Sequence, residues 1–183
     1  MQVIPTEIPD VKVLVPRQFK DHRGFFSEVY STKLLADAGI RTQFVQDNHS
    51  MSVEKGVLRG LHYQVAPMAQ DKLIRVVRGS ILDVAVDIRR GSSTFGRHVT
   101  EIISSENWRQ VFVPVGFAHG FVTLEPNTEV LYKVSAFYSP QHERGVRWND
   151  PALGIDWGVG EGQAVLSTRD LHHPMLSQAQ DLF

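Results

Sequence analysis

Cysteine is missing from all 183 residues. That absence removes disulfides, thiolate nucleophiles and cysteine-ligated metal centres from consideration. No apolar run approaches the roughly 20 residues that a membrane helix needs. The opening segment carries Pro5, Glu7, Pro9 and Asp10 where a secretory leader would have an unbroken apolar stretch, so a cytoplasmic chain without a membrane segment is expected. An excess of positive charge is also lacking. A net charge of −1 argues against a protein held to nucleic acid by bulk phosphate attraction, although a few placed Arg and Lys residues suffice for a small anionic ligand. There is neither a P-loop nor a dinucleotide fingerprint after a strand, so phosphoryl and hydride chemistry have no support and no cofactor is expected.

What remains is an ordinary globular composition, 42% hydrophobic and 21% charged. The length suits one well-buried core, and a single domain over residues 1–183 is expected. Short runs rich in β-branched and aromatic residues predict strands at Val11 to Val15, Gly24 to Tyr30, Ser50 to Val53 and Leu58 to Gln64. Lys72 to Arg78 and Ile81 to Ile88, joined by Gly79-Ser80, read as a tight hairpin. Further strands are predicted at His98 to Ile103, Gln110 to Val113, His119 to Leu124 and Thr128 to Ser135. Ser31 is placed to cap a helix from Thr32 to Ala38 that Gly39 ends, and a second short helix is read at Leu176 to Gln180. Many short strands with frequent turns imply an all-β sandwich or jelly roll.

Alternation divides each strand into two faces. His62 falls with Gly60 and Gln64, Lys72 with Ile74 and Val76, His119 with Phe121 and Thr123, and Tyr132 with Val130 and Val134. Each of these faces offers one ionisable group among smaller or apolar neighbours. If they line one cavity, their pKa values can move toward a catalytic range. The strand at Ile81 to Ile88 resists this reading. Its cleaner apolar face is Leu82, Val84, Val86 and Ile88, which leaves Asp83 free to face water.

Taken singly, each residue has an ordinary structural role. His62 and His119 can be core histidines satisfied by backbone groups, Lys72 an edge charge, Tyr132 a strand aromatic and Asp170 a capping residue. A catalytic metal is not expected. Gln64 stands where a second strand histidine would be needed, and adjacent His172 and His173 point to opposite sides of an extended chain, so a three-ligand N/O site is hard to assemble.

The motifs taken together are recognisable. Asp21-His-Arg-Gly-Phe-Phe-Ser-Glu28, Gln46-Asp-Asn-His-Ser50, Leu58-Arg-Gly-Leu-His-Tyr-Gln64, Lys72-Leu-Ile-Arg-Val76 and Pro114-Val-Gly-Phe-Ala-His-Gly-Phe121 are followed by Tyr132-Lys133, Tyr138-Ser-Pro-Gln-His-Glu143, Trp148-Asn-Asp-Pro151, Gly154-Ile-Asp-Trp157 and Leu166 to Asp170. In this order the chain resembles the dTDP-4-dehydrorhamnose 3,5-epimerases, from about residue 17 to about residue 174. The resemblance implies a cupin-type jelly roll acting without cofactor or metal on a dTDP-4-keto sugar, in dTDP-L-rhamnose and hence cell-surface polysaccharide synthesis. It implies a homodimer with exchanged strands, in which one subunit completes the other's site.

By the same resemblance, His62 is the general base, Asp170 its orienting carboxylate, Tyr132 the acid on the opposite face and Lys72 the cation beside the carbonyl oxygen. His119 is a second site histidine with Asp83 as its partner. Arg23, Phe26, Glu28, Gln46, Asn48, Arg59, Tyr138 and Glu143 match positions that hold the nucleotide, diphosphate or sugar. Arg169 departs from the Lys common there, which keeps the charge and changes its geometry. The alternatives are a relative that inverts one carbon, a ketoisomerase, or a cupin that binds a sugar nucleotide without turnover.

Overall fold

The helix at the N-terminal side forms where the sequence places it. Ser31 adopts an extended backbone and its side chain accepts from Leu34 N, opening α1 (Thr32–Asp37). In the computed structural model, which describes residues 1–160 and 162–183, the rest of the regular structure is almost all strand. One sheet has six strands in the order β1 (Gln2–Ile4), β2 (Lys12–Val15), β10 (Gln110–Val113), β7 (Lys72–Arg78), β12 (Thr128–Val134) and β5 (Gln46–Ser52). The other has five, β13 (Glu143–Gly145), β6 (Leu58–Gln64), β11 (Phe117–Thr123), β8 (Ser80–Asp87) and β9 (His98–Ser104). All their pairings are antiparallel. The two sheets form a cupin-type jelly-roll sandwich. A separate ribbon, β3 (Phe19–Asp21) with β4 (Gly24–Phe26), stands apart from both.

Three apolar clusters hold this frame. Ile74, Val76, Val111, Val113 and Val130 of the first sheet meet Ile81, Ala85, Ile103, Phe117 and Phe121 of the second. The outer face of the second sheet is covered as well, because Leu58, Leu61, Val84, Val86 and Ile88 pack under Trp148, Leu153, Trp157 and Leu176. Leu35 of α1 packs on Leu14, Leu73 and Phe112 behind the first sheet. Each fully buried aliphatic side chain contributes roughly 1.5–3 kcal/mol. With both faces of β6, β8 and β11 mostly buried, their cavity-facing residues stand on a firm support. Among the described residues no helix is long and apolar enough to cross a membrane.

Several expectations need correction. Gly79 does not join a hairpin: β7 pairs with β10 and β12, while β8 pairs with β9 and β11. The turn carries the chain from one sheet to the other. A tight turn signal reports a reversal of direction without naming the sheet that the next strand joins. The strand read from Gly24 to Tyr30 stops at Phe26, and β5 begins at Gln46, well before Ser50. The second helix is a single 3-10 turn, Leu176–Gln178.

Candidate active site

Between the sheets opens a cavity of about 330 Å³, near the lower end of small-ligand pockets. Strict alternation would put Arg59 and His62 on opposite faces of β6, yet both line this cavity. The register with β11 moves from His119↔His62 to Phe121↔Arg59, three steps on β6 against two on β11. The extra residue is a bulge that turns both side chains inward. Gly60 makes it possible: its φ is 130°, and a Cβ there would lie 2.5 Å from Gly120 Cα.

Across the strand pair, His62 and His119 are direct partners. His62 Nε2 is 2.5 Å from Oδ1 of Asp170, in the 3-10 turn Asp170–His172 and 108 residues away in sequence. The Ser167 hydroxyl donates to Oδ2 of Asp170 at 2.8 Å. Burial alone would raise the Asp170 carboxyl, but the imidazoles of His173 and His62 and the Ser167 hydroxyl outweigh it and hold it well below the usual carboxylate range. His62 is pushed below its ordinary 6.5, chiefly by desolvation, against the opposing pull of Asp170. The ring is therefore a neutral base at neutral pH. The Nε2–H···Oδ1 bond leaves its other ring nitrogen, Nδ1, to carry the lone pair.

His119 Nε2 is 2.8 Å from Asp83 Oδ2. Asp83 thus faces inward. The cleaner apolar face of β8 is turned away from the cavity and lies buried beneath the C-terminal loops, so apolarity alone did not mark the inner face.

The opposite wall comes from the first sheet. Tyr132 on β12 pairs with Asn48 on β5 and Ile74 on β7, and Val134 pairs with Lys72. Lys72 Nζ donates to the His62 backbone carbonyl at 3.3 Å, tying the two sheets together across the cavity. Desolvation pushes its ammonium down to about 8, with Asp83 and Glu143 pulling the other way. Desolvation also raises the Tyr132 phenol above its ordinary 10, so it remains a proton donor.

Gln46 donates to Asn48 Oδ1 at 2.8 Å and accepts from Tyr138 N at 3.3 Å. The Tyr138 hydroxyl donates to Glu143 Oε2 at 2.7 Å, and Arg169 pairs with the same oxygen. Arg59 also lines the cavity. These residues are gathered at one site. Arg23, Phe26 and Glu28 are not. They lie on or just beyond the β3–β4 ribbon, exposed, and Arg23 pairs with Asp21 at 2.6 Å.

Sequence reasoning missed three residues. Ser50 alternates with Gln46 and Asn48 on β5, and its buried hydroxyl lines the cavity without a hydrogen-bond partner among the described residues. The alternation of β5 would have found it had the strand been read from Gln46. Gln64 bonds Met68 O, Phe137 O and Ser139 N, and so sets the loop bearing Tyr138. The third is His173: the two adjacent histidines point to opposite sides, as expected, with exposed His172 on Thr168 O and His173 turned inward beside Asp170. The expectation that a three-ligand N/O set is hard to assemble needs correction, because the carboxylate comes from Asp170 and not from the strand of His62. One ligand atom each from His62, Asp170 and His173 lies within 4.8 Å of the others.

The arrangement can remove a proton from one side of a bound molecule, stabilise an oxyanion and return a proton from the other side. Known proteins resemble the chain over most of its length. The family model described as dTDP-4-dehydrorhamnose 3,5-epimerase matches residues 5–178. The protein of that name from Shigella flexneri is 51% identical over 173 residues, 94% of each chain. A crystal structure of dTDP-6-deoxy-D-glucose-3,5-epimerase from Legionella pneumophila Philadelphia 1, in complex with dTDP-4-keto-L-rhamnose, superimposes with a TM-score of 0.93 at 45% identity, covering 98% of this chain and 94% of that one. A 3'-monoepimerase from Streptomyces bikiniensis in complex with dTDP-quinovose gives 0.86 at 34% identity, covering 94% and 87%.

Proposed function

The chain belongs to the dTDP-4-dehydrorhamnose 3,5-epimerase family, and from that membership and its cavity we infer an isomerase that converts dTDP-4-dehydro-6-deoxy-D-glucose to dTDP-4-dehydro-L-rhamnose. The observation that carries the reading is the placement of His62 and Tyr132 on opposite sheets, both lining one cavity, with Lys72 reaching between them.

C3 and C5 both flank the 4-keto group, so loss of a proton from either gives an enolate. Neutral His62 takes the proton through Nδ1, and Asp170 fixes the tautomer and stabilises the imidazolium. The negative charge moves to the carbonyl oxygen, where the Lys72 ammonium stabilises it in a cavity of low dielectric. Tyr132 donates its proton to the opposite face of the carbon, which inverts it. His119, held by Asp83, lies beside His62 and restricts where the sugar can sit. Arg59 and Arg169 suit a diphosphate through forked, charge-assisted bonds, and Tyr138 supplies an aromatic face for the base.

The same proposal includes a homodimer. Phe19, Phe25 and Phe26 on the β3–β4 ribbon are 48%, 59% and 66% exposed, which favours cover by a second copy. In that assembly, Arg23, Phe26 and Glu28 of one subunit reach the cavity of the other. Mixing an inactive Arg23→Ala chain with an inactive His62→Asn chain then restores part of the turnover, because the mixed dimer contains one site with both residues. Two inactive chains that stay inactive after subunit exchange would refute the shared site.

The single-carbon alternative is favoured by the monoepimerase among the relatives. Incubation with the keto sugar in deuterated water separates the two: solvent deuterium at both C3 and C5 supports the double inversion, and deuterium at C3 alone overturns it. Exhaustive chelation is expected to leave this activity intact, and loss reversed by adding a divalent metal would contradict the metal-free chemistry.

A further inference from the structure

His173 has a position that the epimerisation chemistry does not use. Its ring packs edge-on to His62, with centroids 5.4 Å apart and planes at 74°. Nε2 is buried and forms no hydrogen bond among the described residues, and Asp170 Oδ1 stands 3.6 Å away. The ring is seated against the bare backbone of Gly145, where an added Cβ would come within 2.4 Å of it. The flanking main chain is tied down: Arg147 Nε donates to His173 O at 3.2 Å, and Arg147 N donates to Pro174 O at 2.8 Å. A buried imidazole nitrogen whose carboxylate neighbour stands beyond hydrogen-bond distance makes less of its bonding capacity than it would in water, and its place beside that carboxylate and a second imidazole points to a ligand.

We propose that His62 Nε2, Asp170 Oδ1 and His173 Nε2 form a site for a divalent cation of the zinc class, and that its occupancy silences the proton-abstracting imidazole. The three atoms lie within 4.8 Å of one another. In a tetrahedral site with bonds of about 2.0 Å, ligand atoms stand about 3.3 Å apart. The 3.6 Å between His173 and Asp170 is close to that spacing. The 2.5 Å between His62 and Asp170 must open by roughly 0.8 Å, as happens when a metal replaces a shared proton. Two imidazoles and one carboxylate suit zinc and its neighbours, and poorly suit magnesium or calcium.

The silencing rests on the assignment of His62 as the base. A neutral ring carries one proton. Once Nε2 gives its lone pair to the metal, that proton sits on Nδ1, and neither nitrogen can accept another. Lys72, Arg169 and Arg147, whose Nε donates to the His173 carbonyl, are cations beside this cluster and oppose added positive charge there.

The test uses the full chain freed of metal by a chelator, titrated with ZnCl2 by calorimetry in the absence of substrate. One zinc per chain is expected, with affinity falling at least tenfold in His173→Gln and unchanged in His172→Gln. Cobalt(II) bound to the wild-type chain should give the intense visible bands of tetrahedral coordination, a readout independent of any variant's folding. Failure to bind, equal affinity in His173→Gln, or a weak octahedral cobalt spectrum would each overturn the site. Turnover should fall in proportion to zinc bound and return with chelator. Zinc bound at this site with turnover unaffected, in a protein that His62→Asn inactivates, would overturn the silencing and leave the epimerase reading standing. A chain inactive toward the keto sugar even without metal would count against the epimerase reading and leave the binding result intact.

Discussion

Two imidazole–carboxylate pairs face each other across neighbouring strands, and the chain builds them in different ways. His119 and Asp83 come from adjacent strands of one sheet, with side chains 9% and 1% exposed. His62 keeps 22% of its side chain exposed and takes its carboxylate from a 3-10 turn near the C-terminus, outside the sheets. The first pair is all but sealed into the frame, with only His119 reaching the cavity wall. The second is a strand group adjusted by a turn, partly open to the cavity. The difference teaches that the chemical identity of a pair does not decide its role: reach to a ligand and access for a proton do. Removing one partner from a sealed pair leaves a buried polar group unsatisfied, at a cost of about 1–3 kcal/mol. Removing the open pair's imidazole is expected to cost chemistry, on the proposed mechanism.

The largest expected effect follows from that contrast. His62→Asn should lower kcat by roughly 10³-fold, within the range for loss of a general base, with little change in thermal midpoint. An intact kcat, measured by product formation, would place the base elsewhere. Asp170→Asn should cost about 10²-fold in kcat, because an amide can no longer hold the Nε2–H tautomer through a charged acceptor. The sealed pair should behave in reverse. His119→Ala or Asp83→Asn should destabilise the fold by about 1–3 kcal/mol in denaturant unfolding, and should lower kcat less than the corresponding change in the open pair. Equal losses of turnover from both pairs would erase the distinction.

The pH profile sharpens it further. On the proposed mechanism, activity requires neutral His62 and charged Lys72. It should therefore persist below pH 6.5, since the imidazole is pushed below that value, and fall on the alkaline side as Lys72 loses its proton near about 8. Tyr132, raised above 10, does not set the alkaline limb. Lys72→Arg should move that limb upward, because a guanidinium keeps its charge. An unmoved alkaline limb in this variant would remove Lys72 from the account.

Much of this was legible in the sequence where one physical rule acted alone. Alternation placed Lys72, His119 and Tyr132 on inward faces because each lies on a strand with one cavity-facing side. It failed at Asp83, since the loops around Trp148 and Trp157 bury the opposite face of β8 and both faces look like core. It failed at Arg59 because a bulge is a register event between two strands, invisible along either one. The Gly79 corner failed for the same reason: sheet membership depends on partners distant in sequence. Alternation singled out the open pair's imidazole, His62, but Asp170 and His173 were out of its reach, since they sit in and beside a short turn with no periodicity to read. Their assignment came from resemblance for Asp170, and for His173 only from the structure.

The central claim is that His62 and Tyr132 act on one sugar from opposite faces. The most direct measurement is Tyr132→Phe with the keto sugar in deuterated water, following isotope and configuration together by NMR. Retained proton abstraction by His62 predicts deuterium entering the substrate at C3 or C5 with the original configuration, and little inverted product. Inverted product forming at the wild-type rate would contradict the claim.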